Sequence, residues 1–257
     1  MYDNFAKIYD TVMLEVPYEK WLLRISEWLK AYGISRPVSS NGSVSEKDIV
    51  VDLGCGTGTL TEMMAKSGYD MIGIDISPEM LNAAIEKRDI SGKEILYICQ
   101  DMRELDLYST VGTIICVCDS LNYLLSEKDV QKTFKLVKRF LYPGGVFIFD
   151  FNTVYKYETI IGDTTIAENY DDCAFIWDNF YDSEKNLNEY DLTFFIKDKN
   201  GLFIRYQENH YQKGYELQQI RYLLEEAGLE FITAIDDERE TNPDETSERI
   251  FVVAKKM

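Results

Sequence analysis

The sequence predicts a mixed α/β chain: a mostly parallel sheet with helices on both faces, and an antiparallel stretch set into its second half. Three observations predict it. Apolar strand-like runs alternate with amphipathic helical segments from Asp48 to Phe151, and such alternation builds a parallel sheet covered on both sides. Between Thr164 and Tyr211 strand patterns succeed one another without intervening helices. The length, 257 residues, suits one large α/β domain or a domain carrying an inserted subdomain.

The elements follow in order. "YEKWLLRISEWLKAYG" places Trp21, Leu22, Ile25, Trp28 and Leu29 on one helical stripe ending at Gly33. The polar run "SRPVSSNGSVSEKD" reads as a flexible connection. "DIVVDLG" is a buried strand, and the helix after it begins with Thr59 as cap and Glu62 three residues on, a capping box. "YDMIGID" is the second strand, and "SPEMLNAAIEKR" a helix capped by Ser77 with Pro78 in its first turn. "EILYICQD" and "TIICVCDS" are strands three and four. Val130, Phe134, Val137 and Leu141 then mark a helix, "PGG" breaks it, and "VFIFDF" is the fifth strand.

After Phe151 the pattern becomes antiparallel. Asn200-Gly201 lies between alternating runs in "LTFFIKDKNGLFIRYQENHY", a hairpin signal. "GYELQQIRYLLEEAG" returns to helix, and "LEFITAID" and "RIFVVAKK" close the chain as strands around an acidic loop. The expected organisation is therefore an N-terminal helical cap and linker over 1–48, a main domain over 49–151 and 215–257, and an antiparallel insertion over 152–214. An exposed edge of that insertion would allow two copies to pair.

Composition narrows the partners. With 27 basic against 45 acidic residues the formal net charge is -18, a surface that repels nucleic-acid backbones. A neutral or cationic small molecule fits that field better. The five cysteines include no C-x-x-C, and with one histidine no metal site is expected. Buried, reduced thiols are expected, with Cys116 and Cys118 on one face of a strand. No signal peptide is visible in "MYDNFAKIYD" and no run approaches about 18 apolar residues, so a cytoplasmic protein without membrane contact is expected.

One stretch carries the chemistry. In "VVDLGCGTGTL" an acid, Asp52, is followed by Gly54, Gly56 and Gly58, with Cys55 between them. Glycines at a strand end serve positive φ or the close approach of another molecule. No Lys follows, which excludes a P-loop. A dinucleotide turn would want glycine where Thr59 stands, although Asp75 could hold ribose hydroxyls in either kind of adenosine cofactor.

Taken in series, these blocks resemble the class I S-adenosylmethionine-dependent methyltransferases. The acid and G-x-G-x-G match Asp52, Gly54, Gly56 and Gly58. The ribose-binding acid matches Asp75, the adenine-binding acid Asp101 with Met102 beside it, and the "PGG" turn Pro143 to Gly145. The resemblance implies a Rossmann-like, seven-stranded, mostly parallel sheet whose last strand runs antiparallel, an insertion acting as a lid, and S-adenosyl-L-methionine as cofactor. Cys55, Ile76 and Met80 would flank it, and Asp52 and Asp119 would face its methionine end. "FAKIYD" resembles an aromatic segment closing over that end through Tyr9, and Trp21 of the "PYEKW" helix is a further candidate cofactor contact. "CDSLNYL" resembles the active-site loop of a bacterial small-molecule subgroup, several of whose aminosugar N-methyltransferases carry His where Tyr123 stands here. Tyr123 and the single histidine, His210, are the candidate catalytic residues. The expected reaction is methyl transfer to N or O of a small molecule. The rival readings are a non-catalytic sensor of the same cofactor, which would lack an acceptor pocket, and a nicotinamide-dependent oxidoreductase.

Overall fold

The computed structural model describes residues 5–38 and 45–257. The beginning of the expected N-terminal cap, 1–4, and part of the expected connection, 39–44, lie outside the described residues. The start of the expected helical cap is not a continuous helix. It forms instead a 3-10 turn, Phe5–Lys7, and a single helical turn, α1 (Tyr9–Val12). A helix this short is marginal alone and takes its shape from what it packs on.

Helix α2 (Tyr18–Ala31) buries Trp21, Ile25 and Leu29, the expected stripe. Then come β1 (Ile49–Leu53), α3 (Thr59–Lys66), β2 (Asp70–Asp75), α4 (Pro78–Ser91), β3 (Ile95–Cys99) and β4 (Val111–Cys116). They are followed by α5 (Glu127–Phe140) and β5 (Leu141–Asn152). The insertion holds β6 (Thr165–Asn169), β7 (Cys173–Asp182), β8 (Leu187–Lys197) and β9 (Phe203–Lys213). Helix α6 (Leu217–Ala227), β10 (Glu230–Asp236) and β11 (Arg249–Lys255) complete the chain.

The main sheet has seven strands in the order β10-β11-β5-β4-β1-β2-β3. Neighbours pair parallel except at β11, which runs antiparallel to both β5 and β10. Alternation within each strand divides the core. Val51, Ile114, Phe147 and Val252 face α5 and α6, whereas Val50, Ile115, Ile148 and Phe251 face α2 and α3. The sequence order reverses between β1 and β4, the switch point where open α/β sheets leave a crevice beyond their carboxyl ends.

Several local expectations are adjusted. Ser77 caps α4 as read, accepting from the Met80 amide. The capping box at Thr59 does not form. Gly58 takes the cap position at φ 75°, a left-handed value that Gly adopts readily, so Thr59 becomes the first helical residue. Glu62 is consequently buried beside the helix rather than folded back on its start. Cys116 and Cys118 do not share a strand face: β4 ends at Cys116, and Cys118 (φ 62°) turns the chain toward the opposite side of the sheet. All five cysteines are free, and Cys99 is exposed rather than buried.

The insertion is a four-stranded antiparallel sheet, order β6-β7-β8-β9. The hairpin at Asn200-Gly201 forms, but through a five-residue loop, 198–202, that joins the Lys197–Phe203 pair. The Asp198 carboxylate accepts from the Asn200 and Leu202 amides, and only Gly201 is left-handed. Phe5 and Ile8 pack with Phe175, Leu192 and Phe194 on the inner face of this sheet. The Phe5 amide donates to Glu208 Oε1 at 3.2 Å. Where the chain leaves and re-enters the main domain, Asn122 donates to the carbonyls of Asn152 (2.9 Å) and Lys213 (2.7 Å) and accepts from the Asn152 amide (2.9 Å).

Candidate active site

Between the carboxyl ends of the parallel strands and the inner face of the insertion lies a cavity of about 680 Å³. One end is built by the glycine turn and by Asp75, Ile76, Met80, Asp101 and Met102; the other by Ile166, Trp177, Asn179, Tyr190 and Gln212 of the insertion. Phe5 and Tyr9 form part of its wall, and their rings meet edge to face at 5.7 Å.

The glycines of the turn have different tasks. A Cβ on Gly54 would lie 2.7 Å from Ser120 Oγ, and one on Gly58 2.5 Å from Tyr97 Oη, so those two permit close packing. Gly56, at φ 55°, lines the cavity, and a Cβ there would meet nothing within 4 Å. Its bare backbone therefore answers to its conformation and to whatever enters the cavity. Asp75 fixes this backbone: Oδ2 accepts from the Gly56 amide (2.8 Å) and Oδ1 from the Ser77 amide (2.9 Å). Burial raises its pKa, and those backbone donors oppose the rise.

Asp52 does not line the cavity. It lies beneath the turn, takes a hydrogen bond from Thr61 Oγ1 at 2.6 Å, and is pushed by burial up to about 7. Cys55 and Gly58 likewise sit behind the wall, which Gly54 and Gly56 form. Asp101 is on the wall but engaged: both its oxygens meet Arg103, at 3.0 Å from Nε and 2.5 Å from Nη2. That guanidinium holds its carboxyl below the usual range. An incoming amino group must share those oxygens with Arg103.

Trp21 is in the core. Its indole N–H donates to Asp237, and its ring lies 5.3 Å from the guanidinium of Arg249, which does line the cavity. Trp21 thus supports the wall from behind. His210 is also one layer back: it is buried, and Tyr123, which does line the cavity, stands edge to face on it at 6.2 Å. It shares the inner face of β9 with Tyr206 and Glu208, and Nε2 is 3.4 Å from Glu208 Oε2.

The strongest electrostatic feature was not foreseen. Asp119, left-handed at φ 51°, accepts from Arg249 Nη2 (2.7 Å) and Gln212 Nε2 (2.7 Å). Its amide donates to Asp150 Oδ1 at 3.0 Å, and Asp150 Oδ2 is ion-paired to Arg249 Nη1. Burial opposes the Arg249 charge, but Asp150 and Asp119 hold its pKa well above the ordinary value. Burial lifts the Asp150 carboxyl to about 6 against the pull of Arg249. Two successive left-handed non-glycine residues, Cys118 and Asp119, are costly, and such strain concentrates at functional sites.

A methyltransferase-domain family model matches residues 50–145, the strands and turns of the cavity's first end. Two relatives provisionally named as methyltransferases match end to end. One, from Geobacillus sp. (strain WCH70), is 36% identical over 99% of both chains. The other, YqeM of Bacillus subtilis (strain 168), is 33% identical over 100% of this chain and 97% of its own. The chain belongs to the class I S-adenosylmethionine-dependent methyltransferases. A solved S-adenosylmethionine-dependent methyltransferase from Clostridium acetobutylicum ATCC 824 superposes with a TM-score of 0.84 at 29% identity, covering 99% of this chain and 98% of that one. DesVI of Streptomyces venezuelae shares the fold at 18% identity, with a TM-score of 0.77 and 98% of each chain covered.

This methyltransferase keeps its less legible residues on the insertion side of the cavity. Arg249 opens β11, and a charge at the start of an otherwise apolar strand was the available signal. Gln212 stands in a polar stretch that looks like ordinary surface, and Lys156 is a single lysine in the mixed run "NTVYKYETII". Lys156 lines the cavity and donates to Asn152 Oδ1 at 3.2 Å. Among the described residues, no helix is long and apolar enough to cross a membrane.

Proposed function

We propose that this methyltransferase transfers the methyl group of S-adenosylmethionine to a nitrogen or oxygen of a small molecule held beneath the insertion. The observation carrying this reading is the continuous cavity, with a glycine-turn end and an insertion end. A sensor of the cofactor would need only the first. The volume falls within the range of small-molecule sites.

The residues present fit the cofactor. Gly56 leaves a bare backbone at the wall, and Asp75, although bonded to two amides, keeps acceptor capacity for ribose hydroxyls. Met102 and Ile76 offer apolar surface for a base. When bound, the cofactor supplies an electrophilic methyl on a sulfonium. An acceptor placed in line would take that methyl through its lone pair, leaving the S–CH3 electron pair on sulfur and passing its own proton to solvent. The protein's work is placement and exclusion of water. Tyr9, Phe5 and the insertion close the cavity, while Tyr123 presents a hydroxyl to the acceptor and His210 holds its ring in place. The Asp119–Arg249–Asp150 network keeps the floor rigid. Dimerisation through the insertion edge would leave this arrangement intact.

The test is a metabolite pool incubated with methyl-labelled S-adenosylmethionine, asking which small molecule gains label, alongside calorimetry of S-adenosylhomocysteine. Binding of the latter with no transfer to any metabolite would overturn the enzymatic reading. Tighter binding of NAD would overturn the cofactor assignment.

A further inference from the structure

Among the described residues, Lys156 is the one cavity-lining cation with no carboxylate at ion-pair distance: Arg103 has Asp101, and Arg249 has Asp119 and Asp150. Its ammonium is held only by Asn152 Oδ1, among the described residues, which leaves donor capacity toward the cavity. Ile161, Ile166 and Trp177 line the same cavity and give it apolar wall. Burial and the neighbouring Arg249 disfavour its charge more than Asp119, Glu248 and Asp150 favour it, so its pKa is lowered. An apolar or neutral side chain would fill this place at lower cost. A lysine held there calls for a negative charge that arrives from outside, and the sulfonium of the donor adds to that demand.

We propose that Lys156 anchors an acidic group, a carboxylate or phosphate, on the methyl acceptor, so that the substrate is a small acid with an apolar body. This deepens the proposed function and rests on it. It also departs from the neutral or cationic substrate that the overall charge of -18 suggested, because a pocket answers to its own nearest charges rather than to the distant surface. The acid binds Lys156 Nζ directly, and its apolar part lies along Ile161, Ile166 and Trp177.

The test uses the whole chain saturated with S-adenosylhomocysteine and matched acid and amide probes, benzoate with benzamide and phenylacetate with phenylacetamide, followed by saturation-transfer NMR. At least one acid should bind tenfold or more tightly than its amide. Lys156→Met should abolish that preference and Lys156→Arg should retain it, with affinity for S-adenosylhomocysteine unchanged in both. In the unmodified protein the preferred acid, but not its amide, should slow reductive methylation of Lys156 read by mass spectrometry, a measurement independent of variant folding. Equal binding of acids and amides, or no protection of Lys156, would overturn the anchor. Failure of S-adenosylhomocysteine to bind at all would overturn the proposed function instead.

Discussion

Replacing Gly56 by alanine separates the role of the glycine turn from its packing. In the protein a Cβ at this position clashes with nothing within 4 Å, so the folding cost is conformational. A non-glycine residue held left-handed, here at φ 55°, costs about 1–2 kcal/mol. For a chain of this size each kcal/mol lowers the melting temperature by about 2–4 °C, so Gly56→Ala should melt roughly 2–8 °C lower. Its methyl group, however, projects where a ligand would approach the main chain. Loss of one or two backbone contacts, about 1–3 kcal/mol, corresponds to a loss of affinity for S-adenosylhomocysteine of roughly 5- to 150-fold. Gly54→Ala is the control. Its Cβ would stand 2.7 Å from Ser120 Oγ and 2.8 Å from Ser120 Cβ, adding about 1–3 kcal/mol of overpacking to the φ cost. It should therefore melt lower than Gly56→Ala. Scanning calorimetry and isothermal titration read both quantities. If Gly56→Ala binds S-adenosylhomocysteine as the unmodified protein does, the ligand does not lie on this turn and the reasoning fails.

Three further outcomes are expected. Asp75→Ala should weaken S-adenosylhomocysteine by about 1–3 kcal/mol in titration calorimetry, since it removes a ligand acceptor and releases the Gly56 amide; unchanged affinity would count against its ribose role. The raised pKa of Asp52 means that between pH 4 and 7 the folded chain keeps a proton the unfolded chain has lost. Stability from this group is thus present at low pH and is lost as pH rises toward 7, by at most about 1.4 kcal/mol per pH unit; in denaturant titrations Asp52→Asn should flatten that part of the profile. The N-terminal segment is latched to the turn, with Asp10 receiving Lys87 at 2.7 Å and Thr57 Oγ1 at 2.6 Å. Lys87→Ala should speed amide exchange over residues 5–16 and reduce the protection given by S-adenosylhomocysteine, while melting changes little because the pair is reached by solvent on the Asp10 side. Equal exchange in both proteins would remove the latch.

What was legible in the sequence was what backbone periodicity and short spacing encode. The strand and helix alternation, the capping Ser77 and the position of Asp75 all depend on neighbours within a few residues. The insertion end of the cavity depends on distant meetings instead. Arg249 reaches Asp119 across 130 positions and Gln212 reaches it across 93. Trp21 and His210 were read as candidates because large or titratable side chains are conspicuous, yet each supports a residue in front of it. Thr59 was displaced from its cap because the left-handed turn at Gly58 set the helix boundary. The N-terminal segment took its form from the insertion it rests on, a partner more than 150 residues away in sequence.

Asn122 grips both the departing and returning strands of the insertion, touching Asn152 and Lys213 with one amide group. The chain's excursion therefore begins and ends at a single point, next to Tyr123. A segment closed in this way can be exchanged as a cassette: its length and inner lining can change while the methyl-donor end keeps its geometry. If the proposed function holds, diversification of such an enzyme would proceed by replacing what lies between those two carbonyls, and a chimera that preserves Asn122 and its two partners would carry one insertion's cavity lining onto another chain.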